Sequence, residues 1–225
     1  MVTRAVLTDR DPDELLREAQ QVAYRLPAGF GGFTARLSCA TGEAHATRTV
    51  RVGGPGDVVV RFDSEVSEEL RQAAQRELAS MVGHRWAQAY EDGDGRYSKR
   101  LGPEDGPLAG RLVILEGDPF ASSYRVADGQ VAQVNRTMGA SRFSIVIHAR
   151  TAAPGGRFLP QQFSVYHWAA DSGQFLRADS FSDTYVEVAG VLLPASRTVV
   201  TADGSGLGRR EIRLAGHELL AGARP

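Results

Sequence analysis

Apolar and polar positions alternate along this chain with two periods, and the switches between them mark its elements. Asp11 can cap a first helix, Pro12 suits its first turn, Asp13 and Glu14 favour the positive end of its dipole, and Leu15, Ala19, Val22 and Leu26 recur at helical spacing. A helix over 11–26 is predicted, stopped by Pro27 and Gly29. From Phe33 the period becomes two, with Phe33, Ala35, Leu37 and Cys39 alternating against Thr34, Arg36 and Ser38. Turns at Thr41-Gly42 and Gly53-Gly54-Pro55-Gly56 divide a three-stranded meander over 33–62.

A long helix is predicted over 65–90, capped at Ser64 or Ser67, with Leu70, Ala74, Leu78 and Met81 as its apolar stripe and Gly83 as a weak point. Residues 91–110, rich in Gly, Asp and Pro, read as a loop with one short strand near 97–101. Beyond 110 the pattern is antiparallel strand throughout: 111–116, 122–127, 130–138, 141–150, 161–169, 174–188, 191–201 and 208–214. Asp128-Gly129 is the strongest hairpin signal, because a type I′ turn needs positive φ at both central residues. The expected fold class is α+β, a single domain over 1–225 whose large curved antiparallel sheet, an open or half barrel of roughly ten strands, is packed by two helices.

Composition narrows the function classes. At 225 residues, 42% hydrophobic and 24% charged, the chain is long enough to build a core without disulfide or structural metal, and its single cysteine, Cys39, has no internal partner. With 26 basic against 27 acidic residues and no long run of like charge, a nucleic-acid partner is not expected. No apolar stretch approaches the ~20 residues of a membrane span, and Met1 to Asp13 lacks the apolar core of a signal peptide, so the expected location is cytoplasmic. The serine-elbow, phosphate-loop, zincin and dicysteine motifs are all missing, and Gly204-Ser205-Gly206-Leu207-Gly208 has the wrong glycine spacing for a dinucleotide site and reads as a plain turn. No cofactor is expected.

The five histidines are His45, His84, His148, His167 and His217. A two-residue turn at Gly155-Gly156 would put His148 and His167 on one face of a hairpin, four residues out of step and roughly 13 Å apart, too far to share a metal. Only a longer loop recentring the hairpin near 157.5 would set them opposite each other, with His84 or Asp183 as a further ligand; no metal site is expected. On the long helix, Arg85 falls within the apolar stripe, with Glu77, His84 and Gln88 near it. An always-charged group facing a dry core needs a partner, so either a buried carboxylate meets Arg85 or that face opens onto a polar-lined cavity. In strand 174–188 the odd positions, Phe175 to Glu187, carry the aromatic and charged residues; they are expected to face solvent rather than to cage a ligand. Arg142, Ser144 and His148 beside Tyr166 and Trp168 form a mixed polar and aromatic zone of the kind that curls around a ligand.

A series of short landmarks runs through the chain: Gly32-Phe33-Thr34-Ala35, His84-Arg85, Tyr124-Arg125-Val126, Leu159-Pro160, Asp183-x-Tyr185, Leu193-Pro194-x-x-Arg197 and His217-Glu218-Leu219-Leu220. In these the chain resembles the bacterial domain-of-unknown-function family 3386, which implies no activity that can be transferred. Its element order is also similar to that of the lipoprotein carriers, unclosed barrels that hold acyl chains under helical lids, an analogy of fold alone. Those carriers are exported, and no export signal is read here.

The resulting expectation is a binding protein for a hydrophobic or amphipathic small molecule, held between sheet and helices with Arg85 and His84 as polar floor and Tyr166, Trp168, Arg142 and His148 as wall. A cofactor-independent cyclase or isomerase, with histidine as acid or base and arginine stabilising developing charge, is the alternative. A structural or partner-binding module is the third reading. Oligomeric state and ligand identity stay open.

Overall fold

A computed structural model of the chain describes residues 10–41, 44–62, 67–104 and 108–220. Helix α1 (Pro12–Gln21) opens as expected: Asp11 Oδ1 accepts from the Asp13 N–H at 2.8 Å, and Pro12 occupies the first turn. It ends earlier than its apolar spacing predicts. The Val22 carbonyl accepts instead from Phe158 N–H, and Ala23 bridges to Phe158, so a strand contact claims the backbone a fourth turn would need.

The strands are β1 (Phe33–Thr41), β2 (Ala44–Val52), β3 (Val58–Phe62), β4 (Ser98–Leu101), β5 (Arg111–Glu116), β6 (Ser123–Ala127), β7 (Gln130–Met138), β8 (Ser141–Ala153), β9 (Arg157–Ala169), β10 (Phe175–Val188), β11 (Val191–Asp203) and β12 (Gly206–Leu219). Helix α2 (Glu68–Gly83) lies between β3 and β4 in sequence. One antiparallel sheet of twelve strands has the order β3-β2-β1-β12-β11-β10-β9-β8-β7-β6-β5-β4. The order starts at β3 and ends at β4, so it is unclosed. Twelve strands exceed the rounded figure of ten, but they correspond one to one to the segments predicted: three in the meander, the short one near 97–101 as β4, and eight beyond 110, several of them longer than their alternating cores. Within the 91–110 segment 105–107 lies outside the described residues, as do Gly42 of the first predicted turn and Ser64, one of the two predicted caps. Ser67 is the cap that forms, accepting from Leu70 N–H at 3.3 Å. The Gly204-Ser205 segment is a hairpin turn, closed by the pair Asp203↔Gly206, with Asp203 accepting from Ser205.

Contacts divide the chain into two compact units: Met1–Ala23 with Gln88–Asp179, and Tyr24–Ala87 with Ser180–Pro225. In the first, Leu15, Leu16 and Ala19 of α1 pack on Val113, Leu115, Tyr124 and Val126 of β5 and β6, with Val131 and Val134 of β7 at the margin. Burying three or four such side chains is worth roughly 5–10 kcal/mol against their exposure. A polar clamp flanks this core. The Lys99 ammonium, almost wholly buried, lies 2.7 Å from Asp13, whose carboxylate also accepts from Arg17 and the Tyr90 hydroxyl. In the second unit the core is Phe33, Leu37, Val50, Val52, Leu193 and Leu214 of the sheet with Ala74, Leu78, Met81 and Val82 of α2. The predicted α2 stripe is thus the buried one, apart from half-buried Leu70.

Candidate functional site

Arg85 is placed by a turn rather than by the helix. Helix α2 stops at Gly83 with His84 as its C-cap, well short of residue 90. Gly83 is a poor helix former, and the Arg85 carbonyl is taken by Leu26 N–H at 2.6 Å, which ties the turn to the chain entering β1. Arg85 is buried, 8% exposed. Its Nε donates to the Met81 carbonyl at 2.6 Å, Nη2 donates to the Tyr185 hydroxyl at 2.7 Å, and the guanidinium stacks 4.5 Å from the Tyr185 ring centre. Asp183 lies 3.7 Å away. That carboxylate is held by Arg197 in a bidentate pair at 2.8 and 2.7 Å, and Arg197 also reaches Ser80 and Glu77, which accepts from Arg210 at 2.7 Å. Of the two environments weighed for Arg85, the geometry is that of an internal ion network. Arg85 Nη1 is buried without a hydrogen-bond partner, a residual cost of the arrangement. Beside α2 a cavity of about 10 Å³, lined by Glu77, Arg197 and Arg210 together with apolar Leu70, Val199 and Ile212, has room for one water. A surface groove of about 390 Å³ between β3 and α2 is lined by Val60 and five polar side chains. The first is too small for an organic ligand and the second is polar-lined. His84 is exposed.

The buried side of β10 is opposite to expectation. Asp179 and Asp183 are buried and Phe181 and Tyr185 half-buried, whereas Ser180, Ser182 and Thr184 are exposed. Pairing is the reason: Asp183 meets Arg197, and Asp179 meets His167 and Arg177, so these carboxylates are inside at tolerable desolvation cost.

The hairpin β8–β9 carries the remaining candidates. Its loop is the three-residue Pro154-Gly155-Gly156, with Gly155 and Gly156 at φ +73° and +70°, and Ala153 pairs with Arg157. That is one residue off the two-residue turn, and a one-residue slip exchanges faces. His148 and His167 therefore do not share a face. His148, exposed at a bulge, meets Ser164 Oγ at 2.9 Å, on the side that also carries Arg142, Ser144, Tyr166 and Trp168. There Arg142 pairs across from Trp168 with its guanidinium 5.5 Å from the ring centre, and Trp168 contacts Tyr166 and Phe175, each at 6.2 Å. The expected mixed zone is present as a contiguous surface, continued on β7 by Asn135, which accepts from Ser144 at 2.6 Å.

The opposite face of this hairpin was not singled out in the sequence. Its cross-strand pairs are Phe143↔His167, Ile145↔Val165 and Ile147↔Phe163, and Val134 of β7 stands opposite Ile145. Since Val134 abuts the core under α1, this row prolongs the α1-covered side of the sheet. Helix α1 covers β4, β6 and β7, and the row beyond it is only half-buried. At one end stands a dyad: His167 Nε2 lies 3.3 Å from Asp179 Oδ2, to which Arg177 Nε donates at 3.0 Å. The His167 ring packs 6.1 Å from Phe143. Burial lowers its pKa, as does the neighbouring Arg177, against the opposing pull of Asp179, so the ring is neutral near pH 7. Period two in 143–147 and 163–167 was the available signal for this row, and it needed the right register to be read.

An unclosed antiparallel sheet with two helices, bearing a partly uncovered apolar row that ends in a His–Asp pair, defines the class. The chain belongs to the family described as protein of unknown function (DUF3386), whose model matches residues 7–220. Several residues that carry the resemblance meet in space: Arg85 with Asp183 and Tyr185, Asp183 with Arg197, and His217 with the Pro194 carbonyl at 2.9 Å. None of the curated proteins matches the chain. Among solved structures it is similar to a putative outer membrane lipoprotein-sorting protein domain from Vibrio parahaemolyticus, at 11% identity and TM-score 0.37, covering 93% of this chain and 92% of that one. A DUF1329 family protein from Desulfovibrio piger is matched at 11% identity and TM-score 0.30, covering 94% and 92%. MucB in complex with MucA is matched at 12% identity and TM-score 0.22, covering 95% of each chain. Among the described residues no helix is long and apolar enough to cross a membrane.

Proposed function

We propose that the protein binds a hydrophobic or amphipathic small molecule along the row Phe143, Ile145, Ile147, Phe163 and Val165. The observation that carries this reading is their half-burial on the side of the sheet where α1 already builds a core. Each of these side chains has on the order of 1 kcal/mol of burial left to gain, and the hydrocarbon laid on them loses a comparable wetted area. Roughly 10 kcal/mol of gross attraction, less at least about 4 kcal/mol for association, leaves up to about 6 kcal/mol, an affinity in the tens of micromolar. Arg85 has no part in this reading, because its guanidinium is committed to Tyr185, Asp183 and the Met81 carbonyl.

Fluorescence titration with diphenylhexatriene, a hydrocarbon without a head group, tests it. Saturable binding in the tens of micromolar is expected, weakened roughly tenfold or more in the double variant Ile145→Thr, Val165→Thr, since threonine keeps strand propensity but puts hydroxyls into the row. Val146→Thr, on the other face of the same strand, should leave the affinity unchanged. Equal loss in both variants, or no binding by the unaltered protein, overturns the reading.

A second reading rests on the dyad: a cofactor-independent enzyme in which neutral His167, oriented by Asp179, removes a proton from the bound molecule. It requires that a bound compound be recovered chemically changed from the unaltered protein and unchanged from His167→Gln.

A further inference from the structure

Resting on that binding reading, we infer that the polar end of the ligand is an uncharged hydrogen-bond donor, the hydroxyl of an alcohol, which donates to Nδ1 of His167 while the hydrocarbon lies along the row. In a neutral imidazole one nitrogen donates and the other accepts. The Asp179 carboxylate 3.3 Å from Nε2 accepts only, so the proton is on Nε2 and Nδ1 is left with a lone pair. Nδ1 has no partner among the described residues, and with the His167 side chain 19% exposed the ring can be reached. What faces a head group at this end of the row is therefore an acceptor.

The surrounding groups offer little to the obvious competitors, a fatty acid and a phosphate ester. The Arg177 guanidinium is engaged by Asp179, which leaves that pair neutral. Arg136, directly across β7 from Phe143, donates to the Tyr124 hydroxyl at 2.8 Å and lies in the field of Asp94 and Asp118. Farther along β8, Arg150 donates to the Val131 carbonyl. Each of these guanidinium groups already donates to a protein acceptor, and the Arg136 Nε that lacks a partner is buried away from a ligand, while a carboxylate placed at His167 would oppose its own lone pairs to that of Nδ1. A hydroxyl satisfies the acceptor and brings no charge to be desolvated.

Retinol and retinoic acid share one skeleton and differ in the head group, which makes them suitable probes. Near neutral pH the full chain should bind retinol at least roughly tenfold more tightly than retinoic acid, and His167→Phe, which keeps an aromatic ring against Phe143, should reduce the ratio to less than about twofold. Diphenylhexatriene is titrated alongside and should bind both proteins equally, which also shows that the variant is folded. If retinoic acid binds as well as retinol or better, or if the preference survives in His167→Phe, the inference is overturned while the binding reading stands on the hydrocarbon result. If diphenylhexatriene itself does not bind, both fall together.

Discussion

Asp183 shows how one side chain can hold several others in place. It accepts two hydrogen bonds from Arg197 and lies 3.7 Å from Arg85, and all three groups are buried. Removing one member of a buried pair leaves the other charge without compensation, at a cost of about 3–5 kcal/mol. Asp183→Asn should therefore lower the unfolding free energy by about 3–5 kcal/mol in urea denaturation, because two guanidinium groups lose their common anion. Arg85→Met should cost less, about 1–3 kcal/mol, since Asp183 keeps its bidentate partner and the methionine fills most of the vacated volume. Diphenylhexatriene affinity should be the same in Arg85→Met as in the unaltered protein. A weakened affinity with unchanged stability would restore Arg85 to the ligand site and contradict the geometry described above. The sequence placed Arg85 where a partner was required, but it could not name that partner: Asp183 lies about a hundred residues away, on a strand whose odd positions read as a solvent face. Charge on a strand signals exposure only until the other half of the pair is known.

At the level of elements, α1 is fastened to its neighbours by Asp13. Partial burial acts to raise the Asp13 pKa, but hydrogen bonds from Lys99, Arg17 and Tyr90 outweigh it and hold the carboxyl at about 2, against an ordinary value of 3.8. A carboxyl depressed in the folded state stabilises fully above its unfolded value and loses that contribution as pH falls through its folded one. The α1 region should accordingly loosen as pH drops from about 3.8 toward 2, read as faster amide exchange over residues 12–21. Asp13→Asn should remove this acid step and cost about 2 kcal/mol near neutral pH, because it leaves the buried Lys99 ammonium without its counter-charge. Arg17→Gln, at an exposed partner, should leave the stability nearly unchanged, since Asp13 keeps Lys99 and Tyr90. The start of this helix was legible because capping is local: Asp11, Pro12 and the acidic first turn are contiguous. Its end was not, since the strand that captures Val22 begins at Arg157. The same holds for α2, whose last predicted turn is displaced by the Leu26 contact with the Arg85 carbonyl.

Across the whole molecule, strand positions were the most legible feature. Residues 111–116 and 130–138 are β5 and β7 without adjustment, and the meander over 33–62 contains β1 to β3. Alternation and turn residues suffice for that. Register was less legible, because Pro154-Gly155-Gly156 accommodates either a two-residue or a three-residue loop, and the choice decides which side of β8 and β9 shows Ile145 and Val165. The candidate site was hidden behind that choice. The mixed surface of Arg142, Tyr166 and Trp168 was visible in the sequence since its residues are chemically conspicuous, while a run of plain aliphatic positions is conspicuous only once it is found uncovered.

The two strands that end the sheet order differ in what they offer to a stranger. Strand β4 presents Ser98 and Arg100, Lys99 being turned inward to Asp13, and a like edge brought against it would meet the exposed Arg100 charge. Strand β3 carries Val58-Val59-Val60 with no charge before Arg61; Val58 is buried and its carbonyl accepts from the Gln75 side chain, whereas Val59 is 42% exposed. A second molecule could add its own β3 along the part of this edge that Gln75 leaves open, so self-association at high concentration should begin at this margin. Val59→Lys should raise the concentration at which light scattering first increases, with little change in melting temperature. Storage, crystallisation and any attempt to fuse a partner to the chain therefore depend on an exposed valine at its border as well as on the interior.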